Sequence, residues 1–185
     1  RFRCQRCRKS FSRATFHPCF RQKKRQLNHT VACLLTSGIS QRRLARLLHV
    51  SRRTIVRKLI FLAAHLGGKF EEKNQEHPLA NVIEFDELET CEHTKCKPLS
   101  VVVAVEFKSR RVLGWEVARM PAKGRLAKIS RKKYGPRPDE RPQARKKLFE
   151  RIQPLIAQQA LIKSDQCPHY PAEVKTFFPE AQHKT

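Results

Sequence analysis

The sequence predicts an α/β protein in two parts: a small, strongly basic helical head, then a mixed sheet with helices. Three observations carry this expectation. Apolar residues recur at helical spacing between Leu27 and Leu62. Strict alternation and β-branched runs begin after residue 80. Charge is also partitioned along the chain: of a net +24, residues 1–70 hold 18 Lys/Arg and no Asp or Glu, whereas residues 71–118 hold ten of the sixteen acids. At 185 residues the chain can bury a core, as one domain or as a head plus a larger domain. Seven cysteines is an odd count, and neither a secretory signal nor an apolar run of membrane-spanning length is present. Free or metal-bound thiols in a reducing cytoplasm are therefore expected, with no membrane partner.

The first 22 residues open on "RFRCQRCRKSF", in which Cys4 and Cys7 have the spacing of one zinc knuckle. A tetrahedral structural zinc site takes four ligands, normally from two such turns. Only one is here, so this stretch reads as half of a zinc ribbon whose first knuckle lay upstream. His17 and Cys19 offer a local alternative without the second x-x spacing. Two free cysteines on a basic surface are the plainer reading.

Residues 23–68 read as three helices. Leu27, Val31, Leu34 and Leu35 form one apolar stripe, stopped at Ser37-Gly38. Ser40 caps a second helix with Leu44, Leu47 and Leu48 inward. Ser51 caps a third with Ile55, Leu59 and Leu62 inward. Two short helices joined by three or four residues are the helix-turn-helix arrangement, whose last helix enters the major groove of DNA by its N-terminal end. That end carries Arg52, Arg53, Thr54, Arg57 and Lys58, and Gln41, Arg42 and Arg43 begin the second helix, suited to backbone phosphate. A basic bundle binding RNA, or no particular sequence, is the blander alternative. Charge by itself selects only the sign of the partner.

After Gly67-Gly68 the polar stretch at 69–80 reads as a linker, and residues 81–185 as a sheet domain. "NVIEFDELE" alternates, which puts Glu84 and Asp86 on one face and Ile83 and Phe85 on the other. "LSVVVAVEF", the turn "KSRR" and "VLGWEVA" complete an antiparallel meander. A helix is expected near 145–159, then a short strand "LIKSD" ending on Asp165, then a helix "PAEVKTFF". The basic run from Ala122 to Lys147 reads as a partly mobile loop able to touch DNA. Trp115 and Cys33 read as core residues, and Cys91, His93 and Cys96 as an incidental grouping.

A carboxylate on the first strand, a meander, then a parallel strand ending in a second carboxylate is the order of an RNase H-like fold. Two acids on neighbouring strands repel unless a cation lies between them. Mg²⁺ or Mn²⁺ is the natural partner of Asp86 and Asp165, since a pair of such ions supports phosphoryl transfer. Taken singly, Asp86 reads equally as a solvent-facing edge acid and Asp165 as a cap.

The half-knuckle, "SGISQRRLARLLHVSRRTI", "EFDELET" and "KSDQCPHYP", in that order, resemble a bacterial insertion-sequence transposase of the DDE type. The resemblance spans essentially the whole chain and rests on module order. It implies an enzyme that uses three acids and two Mg²⁺ to cut element ends and join them to target DNA, working as a homo-oligomer in the bacterial nucleoid. Asp86 matches the first acid and Asp165 the second. Glu173 and Glu180 follow too closely to match the third. With the missing knuckle, this suggests a piece cut at both ends that binds DNA and one metal ion without catalysing. The alternative is a non-enzymatic DNA-binding regulator, whose second part would carry an apolar or ligand-lined pocket in place of a carboxylate pair.

Overall fold

The computed structural model describes residues 1–185, which divide into two compact units, Arg1–Lys73 and Asn74–Thr185. No helix is long and apolar enough to cross a membrane.

The first unit begins with a minimal hairpin of β1 (Phe2–Arg3) and β2 (Ser10–Phe11). Its turn closes through Cys4 N–H to Lys9 O and Arg8 N–H to Cys4 O, both 2.9 Å, with Arg8 left-handed at φ 60°. Phe2 stacks on Phe11 at 5.5 Å, and Phe16 meets Phe11 edge-on at 5.7 Å. Three helices follow: α1 (Leu27–Thr36), α2 (Gln41–Leu47) and α3 (Arg52–Glu76). Val31, Leu44, Ala45 and Ile55 are their buried centre, ringed by Leu27, Leu34, Leu35, Ile39, Leu48, Val50 and Leu62.

Each boundary has a local cause. Gly38, at φ +80°, donates to Leu35 O while Ile39 donates to Leu34 O, both 3.0 Å. This paired pattern closes a helix whose next residue turns left-handed. Ser40 Oγ then accepts from Arg43 N–H at 3.4 Å and Ser51 Oγ from Thr54 N–H at 3.2 Å, so both serines act as N-caps. Between α2 and α3 the chain reverses at His49, φ 48°.

Several sequence expectations fail in this unit, among them Leu47, expected inward on α2 but 52% exposed. The stop at Gly67-Gly68 is absent, because α3 runs through both glycines to Glu76. Glycine lowers helix propensity by only about 1 kcal/mol per residue and does not by itself end a helix. Cys33 is exposed on α1, with His29 one turn away and its ring nitrogens 3.7 and 3.8 Å from Sγ.

The second unit is a five-stranded mixed sheet in the order β5-β4-β3-β6-β7. The first three strands, β3 (Ala80–Cys91), β4 (Pro98–Glu106) and β5 (Val112–Arg119), form an antiparallel meander. The β4–β5 turn takes its left-handed residues at Lys108 (φ 69°) and Arg110 (φ 60°). Then come α4 (Leu126–Tyr134), α5 (Arg141–Ile152), β6 (Ile156–Lys163), α6 (Tyr170–Phe177) and β7 (Gln182–Lys184). β6 runs parallel to β3, and β7 parallel to β6.

Ile83, Phe85, Val102, Ala104, Leu113 and Ile162 face Leu148, Phe149 and Ile152 of α5 and Tyr170 and Val174 of α6. Phe85 meets Phe149 edge-on at 5.2 Å. Gly114 is forced here by packing: a Cβ would lie 2.9 Å from Leu148 Cδ1 and 3.0 Å from Ile152 Cγ2.

Four readings are corrected in this unit, the first being that the strand expected to end on Asp165 begins at Ile156 and stops at Lys163. The basic stretch expected to be a loop holds α4 and the start of α5, and Ser130 Oγ ties α4 to the Cys96 carbonyl at 2.7 Å. The helix expected over 145–159 ends at Ile152, where Pro154 interrupts the ladder, and strand β6 begins at Ile156. Trp115 points to the sheet face opposite α5 and is 43% exposed, since strand alternation pairs it with Val103 and leaves Ala104 and Gly114 to the core.

Candidate functional site

The second unit gathers acids where β3 and β6 lie side by side. The last parallel pair in their register is Glu84 with Lys163. Asp86 stands two residues further along β3, and Asp165 two residues past the last residue of β6, so the two acids lie toward the same end of neighbouring strands. Both are exposed, and both line one open pocket of about 410 Å³ together with Glu87, Arg141, Arg145 and Tyr170.

Their hydrogen bonds are local. Asp86 Oδ1 accepts from Glu87 N–H at 2.7 Å, and Asp165 Oδ1 from Cys167 N–H at 3.3 Å.

What separates these two acids from their neighbours is the lack of a counter-charge. Twelve acids lie between Glu84 and Glu173, and ten are ion-paired. Asp86 and Asp165 are the two that are not. Outside that range Glu71, Glu72, Glu76 and Glu180 also have no ion pair.

Around them the side chains are tightly held. Arg145, on α5, is only 5% exposed. Its Nε and Nη2 donate to the two oxygens of Glu173 at 2.6 and 2.7 Å, and Nη1 donates to Glu87 Oε1 at 2.6 Å. Ser100 Oγ donates to the other Glu87 oxygen at 2.8 Å. The guanidinium carbon sits 5.6 Å from the centre of the Tyr170 ring. Its pKa is raised, chiefly by the Glu173 bonds and next by Glu87, against the opposing effect of burial. Burial pushes the Tyr170 hydroxyl up, helped by the charges of Glu87 and Asp165, which line the same pocket as that ring.

Sequence reasoning missed Arg145, although the signal was available. It lies four residues before Phe149 and three before Leu148, on the apolar stripe of α5, where a charged side chain must find partners. Ser164 was missed too. Its Oγ lies 2.9 Å from His183 Nε2, and it fixes the strand end beside Asp165 to β7.

On the head, the residues expected to meet DNA divide. Arg42, Arg43, Arg52, Arg53 and Arg57 are exposed, and Gln41 is half-buried at the start of α2. Thr54 is half-buried and occupied locally, its Oγ1 lying 3.0 Å from Ser51 Oγ. Lys58 is a correction: it does not point outward but is 2% exposed. Its ammonium donates to Lys24 O at 2.8 Å, Lys23 O at 3.3 Å and Asn28 Oδ1 at 2.7 Å. Position 58 lies three residues after Ile55 and four before Leu62, on the inner stripe of α3, so helical spacing already assigned it inward. Burial lowers its pKa, partly opposed by the charge of Cys19.

Cys4 and Cys7 sit on the β1–β2 turn, Cys4 half-buried and Cys7 exposed. The Cys4 thiol is shifted down, first by the Cys7 backbone N–H, then by the Cys7 side chain and the Arg6 backbone. Two sulfurs are half of a tetrahedral zinc set. Cys19 is engaged elsewhere, accepting from Asn28 Nδ2 at 3.5 Å. No three His, Cys, Asp or Glu side chains stand together so as to hold a metal ion. Cys91, His93 and Cys96 follow that rule; Cys96 is buried, and His93 lies edge-on to Tyr134 at 6.2 Å.

No protein-family model matches this chain, and no curated protein is similar enough to match it.

Proposed function

We propose that this chain carries the DNA-binding head and two of the three metal-binding acids of a transposase of the DDE, RNase H-like type. The head binds duplex DNA as a helix-turn-helix, through Arg52, Arg53 and Arg57 toward the groove and Arg42 and Arg43 toward phosphate. Asp86 and Asp165 are the residues that hold Mg²⁺ or Mn²⁺. Cys4 and Cys7 contribute two sulfurs to a zinc knuckle. One observation carries the reading: Asp86 on β3 and Asp165 just past the end of the parallel β6 line one pocket, and neither has an ion-pair partner.

The donor set fits a hard divalent cation, because carboxylate oxygens suit it and the open pocket leaves room for retained waters. Such an ion, when bound, polarises a phosphate and lowers the pKa of its water. The chain's own part is to hold the two carboxylates toward the same end of neighbouring strands, Asp86 through β3 and Asp165 through the end of β6. The remaining coordination falls to water and phosphate.

The test is a Mn²⁺ titration followed by electron paramagnetic resonance. The wild type takes up Mn²⁺, and Asp86→Asn and Asp165→Asn each weaken uptake by about tenfold or more. Uptake indifferent to both substitutions sinks the metal reading.

The regulator reading draws support from a different observation, that no three His, Cys, Asp or Glu side chains stand together so as to hold a metal ion. Under it, the protein binds DNA, takes up no Mn²⁺, and leaves supercoiled plasmid intact with Mn²⁺ present.

A further inference from the structure

We infer that Arg145 is a positioning residue that sets the spacing of Asp86 and Asp165. The inference rests on the metal reading above and concerns how that site is held. Arg145 is bonded both to the strand that carries Asp86 and to the helix that follows Asp165. Through Nη1 it holds Glu87, the residue next to Asp86 on β3. Through Nε and Nη2 it holds Glu173 on α6, the helix entered five residues after Asp165. Tyr170, at the first turn of that helix, packs on Phe85 of β3 at 4.8 Å and under the guanidinium. Strand, turn and helix therefore meet at one planar cation.

The chemistry of the contact supports positioning over simple stabilisation. A buried ion network contributes little net stability compared with an apolar replacement, because both partners give up solvation. Its distinguishing property is direction: a guanidinium offers donors in a fixed fork, and two carboxylates that use three of them have little freedom left. An ammonium has no such plane and cannot bridge both acids with the same geometry. Arg145 stays fully charged, so it also places one fixed positive charge in the lining of the acidic pocket, where it offsets repulsion before any ion arrives.

The experiment measures Mn²⁺ affinity of the full chain by electron paramagnetic resonance, with thermal unfolding recorded for each variant. Arg145→Lys keeps the charge and loses the fork; the triple variant Arg145→Met, Glu87→Gln, Glu173→Gln removes the network as a neutral set, so burial leaves no lone charge. Both variants unfold cooperatively and bind Mn²⁺ about 10- to 100-fold more weakly, the range for partners that orient metal ligands. Arg151→Met, which breaks the Arg151–Glu116 pair on the same helix, leaves Mn²⁺ affinity where it was. Wild-type affinity in a folded Arg145→Lys or in the folded triple variant overturns the inference while the metal reading stands. A wild-type chain that takes up no Mn²⁺ overturns the metal reading and this inference with it, and Asp86→Asn separates the two cases.

Discussion

Each unit of this protein buries one cation, and the two are satisfied by opposite means. Lys58 in the head is held by two backbone carbonyls and an asparagine oxygen. Arg145 in the sheet unit is held by two carboxylates. The contrast follows from composition, since residues 1–70 contain no acid for Lys58 to meet. It extends to the surface, because every ion pair of the protein lies in the second unit, between Glu84 and Glu173. There, Arg111, Arg119 and Arg137 are tied to Glu106, Glu140 and Glu92. Eleven of the second unit's 21 Lys and Arg are paired internally, and in the head none is, so the head's charge is left for something outside the chain. A polyanion is the partner that such a surface selects.

The hardest test of this contrast is to remove the buried ammonium. Lys58→Met leaves two carbonyls and an amide oxygen, all in part-buried contacts, without their donor, at a cost of about 1–3 kcal/mol. Urea unfolding of the head checks it. The same variant, held at a temperature where it stays folded, keeps the wild-type salt dependence of DNA binding, because its charge never faced solvent. A changed salt slope with unchanged stability would return Lys58 to the DNA-facing set.

A second effect separates the two surfaces. Arg53→Ala removes an exposed, unpaired cation from the start of α3; Arg110→Ala removes one on the β4–β5 turn whose partner, Glu84 of β3, lies 3.4 Å away. Arg53→Ala weakens duplex DNA binding by about 1–3 kcal/mol and lowers the slope of log K against log salt by about 0.9. Arg110→Ala changes binding by less than about 0.5 kcal/mol. Equal losses from the two, measured by fluorescence anisotropy across a salt series, would reduce the head to general charge attraction.

How much of this was legible in the sequence depends on the range of the interaction concerned. Caps at Ser40 and Ser51, the stop at Gly38 and the alternation of Ile83 and Phe85 against Glu84 and Asp86 are set by residues within a few positions of one another. Each appears in the structure as composition and spacing suggest. The meander was equally readable, because "KSRR" and the β-branched runs are local signals. What escaped depends on partners far along the chain. Arg145 finds Glu87 58 residues away, and Lys58 finds Lys24 34 residues away. A charged residue on an apolar stripe was read by its type, when its position on the stripe was the better guide. β7 escaped because three polar residues, Gln182–Lys184, carry no strand pattern and pair only because β6 offers an edge. The placement of Asp86 and Asp165 toward the same end of neighbouring strands stands between these cases: each acid was visible, and only the Glu84–Lys163 register brings them there.

His183 tests the contrast in its mildest form, as a basic group in the acid-rich unit that has no acid. It is half-buried on β7, its ring bonded to Ser164 Oγ, and burial alone shifts its pKa below the ordinary 6.5. In this it behaves like Lys58 and unlike Arg145. The unfolded chain takes up the histidine proton near pH 6.5, before the folded chain does. The group therefore contributes stability that is present above that pH and lost as pH falls through the depressed folded value. The carboxylates of Glu92, Glu106, Asp139 and Glu140 are also shifted down, from 3.8–4.5, so their contribution is lost only at more acidic pH. Between pH 7.5 and 5.5 the urea midpoint of the second unit accordingly falls, by the smallest margin of these effects. His183→Gln, which keeps a partner for Ser164 but cannot titrate, flattens that fall. An identical decline in wild type and variant would assign it to another group and remove His183 from the set of bases that this unit buries without a counter-charge.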